Sequence, residues 1–302
     1  MDTEYRPARE EDLPAMRMVQ GLAVHDLAAR QGFDVSSMPL DDQPTPPMRY
    51  LRRSEPDMSW VAVRDGRVAG FSQGFVRGDL WFLSNLFVHP EVHSGGIGAA
   101  LLQRCLQAGL RRGASVRAVC SSPELAAQAL YARAAMIPRF PLFALEGHVE
   151  ALRRLPPARA RIVRPKASSR LIGRLGSLDE YVWGGRRDRD HRFAQREMKL
   201  GCVAIEGDGE HLAAYAYCSA GQVGPLCARR PRLQLELLRA AGDALGEGGG
   251  AGKVRVWVPG VNGVAFVALL EAGFRILFSN LFMASRPFGR FDRYIPSGGT
   301  LL

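Results

Sequence analysis

The sequence predicts an α/β protein made of two diverged copies of one unit, and three observations carry that expectation. The chain is 302 residues long, against about 100–200 residues for a typical domain. A proline- and arginine-rich stretch around residues 150–165 interrupts a regular apolar pattern and reads as a linker. The order of strand-like and helix-like segments before that stretch recurs after it. This repeat rests on element order and not on residue identity.

In the first half, residues 4–7 form a short strand, and residues 10–29 carry helical spacing through Leu13, Met16, Val19 and Leu22. Residues 34–48, rich in proline and aspartate, are expected to be irregular. Three strand-like runs follow at 60–63, 68–76 and 80–88, with Asp65-Gly66 as a hairpin signal between the first two. The third run stops at His89-Pro90, crosses a glycine-rich turn and opens a helix over 97–112, with Leu101, Leu102, Cys105, Leu106 and Leu110 on one face. A strand at 116–120, a helix at 123–135 and a last strand at 140–146 complete the order β-α-β-β-β-α-β-α-β.

The second half starts with a strand at 161–165 and helical material around 168–183. Strands near 202–205, 212–218 and 222–226 come next, then a helix at about 231–245, a strand at 254–258, a helix at 262–271 and a strand at 274–284. Residues 246–252 contain five glycines in seven and read as a loop inside the second domain.

Composition narrows the function classes. Apolar residues make up 47% and charged residues 23%, which excludes disorder as the main description. No window approaches the ~18 consecutive apolar residues of a membrane helix, and residues 1–4 show no basic-then-apolar leader, so a cytoplasmic protein without a membrane partner is expected. Cys105, Cys120, Cys202, Cys218 and Cys227 are odd in number with no pair at two-residue spacing, so they read as core residues and not as a disulfide framework or a metal knuckle. The net charge of +10 is uneven: residues 1–155 hold 18 basic and 17 acidic groups, residues 156–302 hold 22 and 13. Only Lys166, Lys199 and Lys253 are lysines, so a solvated basic surface is favoured over a specific acidic partner, and nucleic acid is not expected.

The informative segment is residues 86–99, from Leu86-Phe87-Val88 through Gly95-Gly96-Ile97-Gly98-Ala99. An apolar strand stops at a proline, turns through glycines and opens an amphipathic helix. Successive N–H groups in such a turn, backed by the helix dipole, make an anion cradle that suits a pyrophosphate. No Lys-Ser/Thr follows the glycines as in a P-loop, and the turn comes fourth in strand order instead of first as in a dinucleotide fold.

These residues resemble the GNAT superfamily of acyl-CoA-dependent N-acyltransferases, whose signature is Gln/Arg-x-x-Gly-x-Gly/Ala at a helix start, here His93-Ser94-Gly95-Gly96-Ile97-Gly98. His93 replaces the usual Gln/Arg, a change that a backbone cradle tolerates. The resemblance implies that the amides of Ser94, Gly95, Gly96, Ile97, Gly98 and Ala99 hold the CoA pyrophosphate. It implies that a splayed strand end at Leu86, Phe87 and Val88 binds the pantetheine arm and polarises the thioester carbonyl. A second family segment follows as Glu124-x-x-Ala127-x-x-Leu130-Tyr131, then Ala135-Met136, where the family has Asn and Gly-Phe. By that resemblance Tyr131 is the general acid for the departing thiolate.

The second half repeats this segment as Asn262-x-x-Ala265-x-x-Ala268-Leu269, then Gly273-Phe274. Leu269 stands at the tyrosine position, and residues 223–231 lack repeated glycines. The resemblance therefore implies two tandem GNAT-like domains, each a mixed, mostly antiparallel twisted sheet flanked by helices. The expected division is a catalytic domain over 1–150 with the acyl-CoA site, a linker over 151–161, and a degenerate domain over 162–302. Acetyl-CoA is the expected donor co-substrate without a metal, and a small-molecule or peptide amine the expected acceptor, in a monomer or homodimer. The alternative is a non-catalytic acyl-CoA binder whose basic second domain engages a macromolecule.

Candidates for a base are Asp79, Glu91, His25 and Asp26, each also readable as a surface or structural group, with a water chain equally open. His89 and His93 have a helical metal spacing, but Pro90 argues against a helix there. In residues 286–294 arginines alternate with aromatics. Three readings stand: rings packed on their own domain with arginines in water, a stacking or acidic-substrate surface, or a flap over the first domain's cleft.

Overall fold

The computed structural model describes residues 2–36, 38, 40–92, 95–247 and 252–301. The chain divides into two compact units, Met1–Val119 with Glu124–Met136, and Cys120–Pro123 with Ile137–Leu302.

The first unit holds β1 (Thr3–Pro7), α1 (Leu13–Arg30), α2 (Pro46–Ser54), β2 (Ser59–Arg64), β3 (Arg67–Arg77), β4 (Leu80–Val88), α3 (Ile97–Arg111), β5 (Val116–Ser121) as far as Val119, and α4 (Leu125–Arg133). Its strands lie in sequence order, antiparallel from β1 to β4, with β5 parallel to β4. Asp65 and Gly66, with φ of 51° and 73°, make the tight β2–β3 hairpin that their sequence predicts. Val61 and Phe71 pack on one face against Leu13, Met16 and Val19 of α1 and Met48 of α2. Ala62 and Ala69 on the other face receive Ile97 and Leu101 of α3.

Residues 46–48, the end of the segment expected to be irregular, form the first turn of helix α2. Its prolines sit in the first turn, where no N–H is needed, and the Met48 N–H donates to the Thr45 hydroxyl at 3.3 Å. Helix α3 approaches the sheet closely because Gly109 has no side chain: a Cβ there would stand 2.2 Å from Cδ1 of the fully buried Trp81. Gly109→Ala gains about 1 kcal/mol in helix propensity but displaces that ring, at about 1–3 kcal/mol. A net loss of up to about 2 kcal/mol is expected in urea denaturation; a raised midpoint refutes the close packing.

The second unit holds β6 (Ile137–His148), β7 (Ile162–Val163), α5 (Ser169–Val182), α6 (Asp188–Arg196), β8 (Gly201–Glu206), β9 (Leu212–Ser219), β10 (Gln222–Ala228), α7 (Leu233–Glu247), β11 (Lys253–Pro259), α8 (Gly263–Glu271), β12 (Arg275–Ala284) and β13 (Tyr294–Ile295). The strand order is β12-β6-β11-β10-β9-β8-β7, with β13 beside β10. The strand expected at 140–146 to close the first domain is β6, hydrogen-bonded on both edges to β11 and β12. That two-sided pairing divides the chain after Met136, where the sequence suggested residue 150. The expected linker, 151–161, is also partly structural, because Val149, Leu152 and Leu155 are buried in the core that α7 covers.

Helix α6 has too many charges for an apolar period to show, yet it buries His191, Phe193 and Ala194. The rings of the 286–294 segment pack within the second unit: Phe288 lies against Trp183 at 6.0 Å and Phe291 against Phe282 at 5.0 Å between centroids. All five cysteines are free thiols, and burial pushes Cys120 and Cys202 up to about 12. Among the described residues no helix is long and apolar enough to cross a membrane. Residues 248–251 of the predicted glycine loop lie outside the described residues.

Candidate functional site

The site starts from an unequal pairing of β4. Along its whole length β4 bonds to β3, from Leu80↔Arg77 to Val88↔Gly70, but to β5 only from Leu80↔Val116 to Leu83↔Val119. Beyond Leu83 the two parallel strands part. At that point Gln73 faces Asn85 and Gly74 faces Leu83, so Ser84 is an extra residue, a bulge that turns the strand. Residues 85–88, including the predicted Leu86, Phe87 and Val88, lie beyond the last β4–β5 pair.

After Val88 the chain enters the predicted cradle. The His89 N–H donates to the Ala69 carbonyl at 2.8 Å, and a 3-10 turn over Pro90–Val92 ends the strand. Ser94, a predicted cradle residue, and His93 lie outside the described residues. Gly96 precedes α3 with φ of 70°, a left-handed conformation that suits glycine, and none of the described residues lies within 4 Å of where its Cβ would stand. Among the described residues no side chain caps α3, and Ala100 N–H to Gly96 C=O at 3.0 Å is its first ladder bond. The amides of Ile97, Gly98 and Ala99 therefore precede the ladder, as donors at the positive end of the helix dipole. The Ile97 side chain is in the core, so only its amide serves here, while Gly95, Gly96 and Ala99 are exposed.

Gly98 joins the predicted elements. A Cβ at this position would stand 3.7 Å from Cγ2 of Val88 and 3.8 Å from Cδ2 of Leu130. The end of β4, the start of α3 and helix α4 meet there, and Tyr131, next to Leu130, is buried. Helix α4 ends with Ala135 at φ 64° and the Met136 N–H donating to the Tyr131 carbonyl at 3.0 Å. Helix α8 ends the same way, with Gly273 at φ 102° and the Phe274 N–H donating to the Leu269 carbonyl at 2.9 Å. The backbone bonding thus puts Leu269 where Tyr131 stands. Asn262 caps α8 by accepting the Ala265 N–H at 3.3 Å, whereas Glu124 at the matching place makes no cap bond and pairs with Arg30 at 2.7 Å.

The base candidates are dispersed. Asp79 sits before β4, at the strand end away from the glycine turn, where its carboxylate accepts the Ser115 hydroxyl at 3.1 Å. Asp26 pairs with Arg30 at 3.0 Å, and His25 Nε2 meets the Val35 carbonyl at 3.0 Å. Glu91 is exposed on the 3-10 turn, and its N–H donates to His89 Nδ1 at 3.3 Å.

A buried amide chain at the bulge went unnoticed in the sequence. Gln20 donates to Asn85 Oδ1 at 3.4 Å, Asn85 Nδ2 to Gln73 Oε1 at 3.0 Å, and Gln73 Nε2 to the Met48 carbonyl at 3.0 Å and the Ser59 hydroxyl at 3.3 Å. Gln73 and Asn85 face each other beside the extra residue, so their bond holds the bulge in register. The available signal was two amides inside otherwise apolar strand runs.

Residues 22–136 match the profile of the acetyltransferase (GNAT) family. The first unit is a GNAT-family domain. The GNAT match ends at the residue where the first unit ends. Over the whole chain the fold is that of tandem GNAT proteins. An acetyltransferase candidate from Pyrococcus horikoshii is 17% identical with a TM-score of 0.76, over 99% of this chain and 96% of that one. A tandem GNAT protein of the clavulanic acid biosynthesis pathway is 16% identical with a TM-score of 0.59, over 95% and 99%. A GCN5-related N-acetyltransferase from Sphaerobacter thermophilus is 16% identical with a TM-score of 0.58, over 96% and 98%. No curated protein matches significantly.

GNAT proteins use acyl-CoA, and the first unit's residues fit that group. Among the described residues, the open space at Gly96, the lack of a side-chain cap on α3 and the parting of β4 from β5 are what a diphosphate with an extended polar arm requires.

Proposed function

We propose that the protein is an N-acetyltransferase that transfers acetyl from acetyl-CoA directly to a primary amine of a small-molecule or peptide acceptor, using the first unit. The observation that carries this reading is the parting of β4 from β5 beside the glycine-entered, uncapped helix α3. Acetyl-CoA, when bound, supplies an acetyl thioester open to attack by a neutral amine. The amides of Ile97, Gly98 and Ala99 hold the diphosphate, and the backbone edge of residues 85–88 aligns the pantetheine arm. The Tyr131 hydroxyl gives its proton to the departing sulfur, a role worth about 10²–10⁴-fold in rate. The proton shed by the amine passes to solvent, since Asp79 and Asp26 are engaged by Ser115 and Arg30.

The test combines calorimetric titration of acetyl-CoA with a screen of amines read by thiol release. Tyr131→Phe is expected to lower kcat about 100-fold or more while leaving the acetyl-CoA Kd within about twofold. Binding without turnover of any amine supports the alternative, an acyl-CoA binder whose basic second half engages a macromolecule. Absence of binding defeats both readings.

A further inference from the structure

In the second unit β10 and β11 stand as β4 and β5 do in the first, a parallel pair with an antiparallel neighbour on the other side of the leading strand. They pair only at Gln222↔Arg255 and Val223↔Val256, and a register shift between Val223 and Leu226 follows. Here the gap is filled by the end of the chain. Strand β13 lies antiparallel on β10, with Leu226↔Ile295 and Cys227↔Tyr294 in register, and the Ala228 N–H donates to the Arg293 carbonyl at 3.1 Å.

The fit is close along the segment. Gly224, at φ 137°, leaves room for the Pro296 carbonyl, which a Cβ would meet at 2.6 Å. Gln222 Nε2 donates to the Ser297 carbonyl, and the Arg290 N–H donates to the Val182 carbonyl at 2.7 Å. Tyr294 and Ile295 are fully buried, and Arg187 donates to the Tyr294 hydroxyl at 2.5 Å. The anion end is closed too. The amides of Leu233, Gln234 and Leu235, which open α7, donate to the carbonyls of Arg230, Pro231 and Arg232 at 3.1–3.2 Å. The buried Gln234 side chain donates to the Asp292 carbonyl at 3.0 Å.

We propose that residues 286–297 are a built-in occupant of the second unit's acyl-CoA slot, so that this copy of the fold is closed to the cofactor by its own chain. The inference rests on the reading of the first unit as an acyl-CoA site. An extended peptide offers alternating N–H and C=O groups to a strand edge, and the pantetheine arm, with its two amides, offers the same chemistry; one edge serves either, not both. The missing glycines of residues 223–231 then follow from occupancy, because no external diphosphate has to approach that backbone.

Hydrogen exchange on the full-length protein, with and without acetyl-CoA, tests this. Residues 290–296 should exchange as slowly as β9, and acetyl-CoA should slow exchange in residues 84–99 while leaving 222–235 unchanged at one bound equivalent. Tyr294→Phe, which removes the Arg187 bond alone, should speed exchange in 290–296 at least about tenfold without altering the acetyl-CoA Kd. Fast exchange of 290–296 in the wild type, protection of 222–235 by acetyl-CoA, or a second bound equivalent overturns the proposal. If no acetyl-CoA binds at all, the first-unit reading fails, while slow exchange of 290–296 still shows the slot filled.

Discussion

Gly96→Glu abolishes acetyl-CoA binding, with an expected loss of at least about 100-fold in Kd, or about 2.8 kcal/mol. Three effects act in the same direction. Gly96 has φ of 70°, and a residue with a side chain pays about 1–2 kcal/mol to stay there. Among the described residues nothing occupies the space its Cβ would take, and a diphosphate needs that space. The introduced carboxylate repels that anion and is itself drawn to the free amides of α3. Gly96→Asn is the control, since asparagine tolerates the left-handed region and adds no charge, and it should stay within about tenfold of the wild type. Calorimetric titration of acetyl-CoA reads both variants; wild-type affinity in Gly96→Glu would falsify the cradle.

Asp179→Ala unfolds the second unit more readily by about 3–5 kcal/mol, a large part of the roughly 5–15 kcal/mol that stabilises a domain. Asp179 is fully buried between α5, α6 and β9. Its carboxylate accepts Arg187 Nε at 2.9 Å and the Tyr215 hydroxyl at 2.5 Å, and it meets His191 Nε2 at 2.8 Å. Removing it takes the carboxylate away from the buried Arg187 charge, which also donates to the Tyr215 and Tyr294 hydroxyls and lies over the Trp183 ring, all neutral groups. Burial by itself disfavours the carboxylate, but Arg187 and His191 outweigh that and hold Asp179 well below the usual carboxylate range. A carboxyl depressed in the folded state contributes fully above its unfolded pKa of about 3.9 and is lost as pH falls from there towards the folded value. Urea midpoints, followed by the fluorescence of buried Trp183, should therefore decline below about pH 4 in the wild type and less steeply in Asp179→Asn. A midpoint for Asp179→Ala within about 1 kcal/mol of the wild type contradicts this account.

The two variants bear on parts of the protein that differ in how they could be known beforehand. The limits of β4, the hairpin at Asp65-Gly66 and the opening of α3 at Ile97 were legible because each depends on local chemistry: a period of two, a left-handed turn, glycines before an apolar helix. The cradle is local too, since its donors are consecutive amides. The first turn of α2 was misread because prolines signal a break and a helix start alike, and Thr45 distinguishes them only once its hydroxyl is seen bonded. Helix α6 was missed because Asp188, Arg189 and Arg192 mask the residues that turn inward.

By itself, then, the sequence determined two α/β copies, a diphosphate-shaped turn in one of them, and a tyrosine retained in the first copy and lost from the second. Only the tertiary structure decided that β6 pairs into the second unit and that Gln73 and Asn85 lock the bulge. It alone placed β13 in the β10–β11 gap beside the Asp179–Arg187–His191 cluster. The reason is physical: strand pairing and buried polar networks join residues from different elements, in the case of Arg187 and Tyr294 107 positions apart, and the free energy that selects each partner comes from surfaces no local window contains.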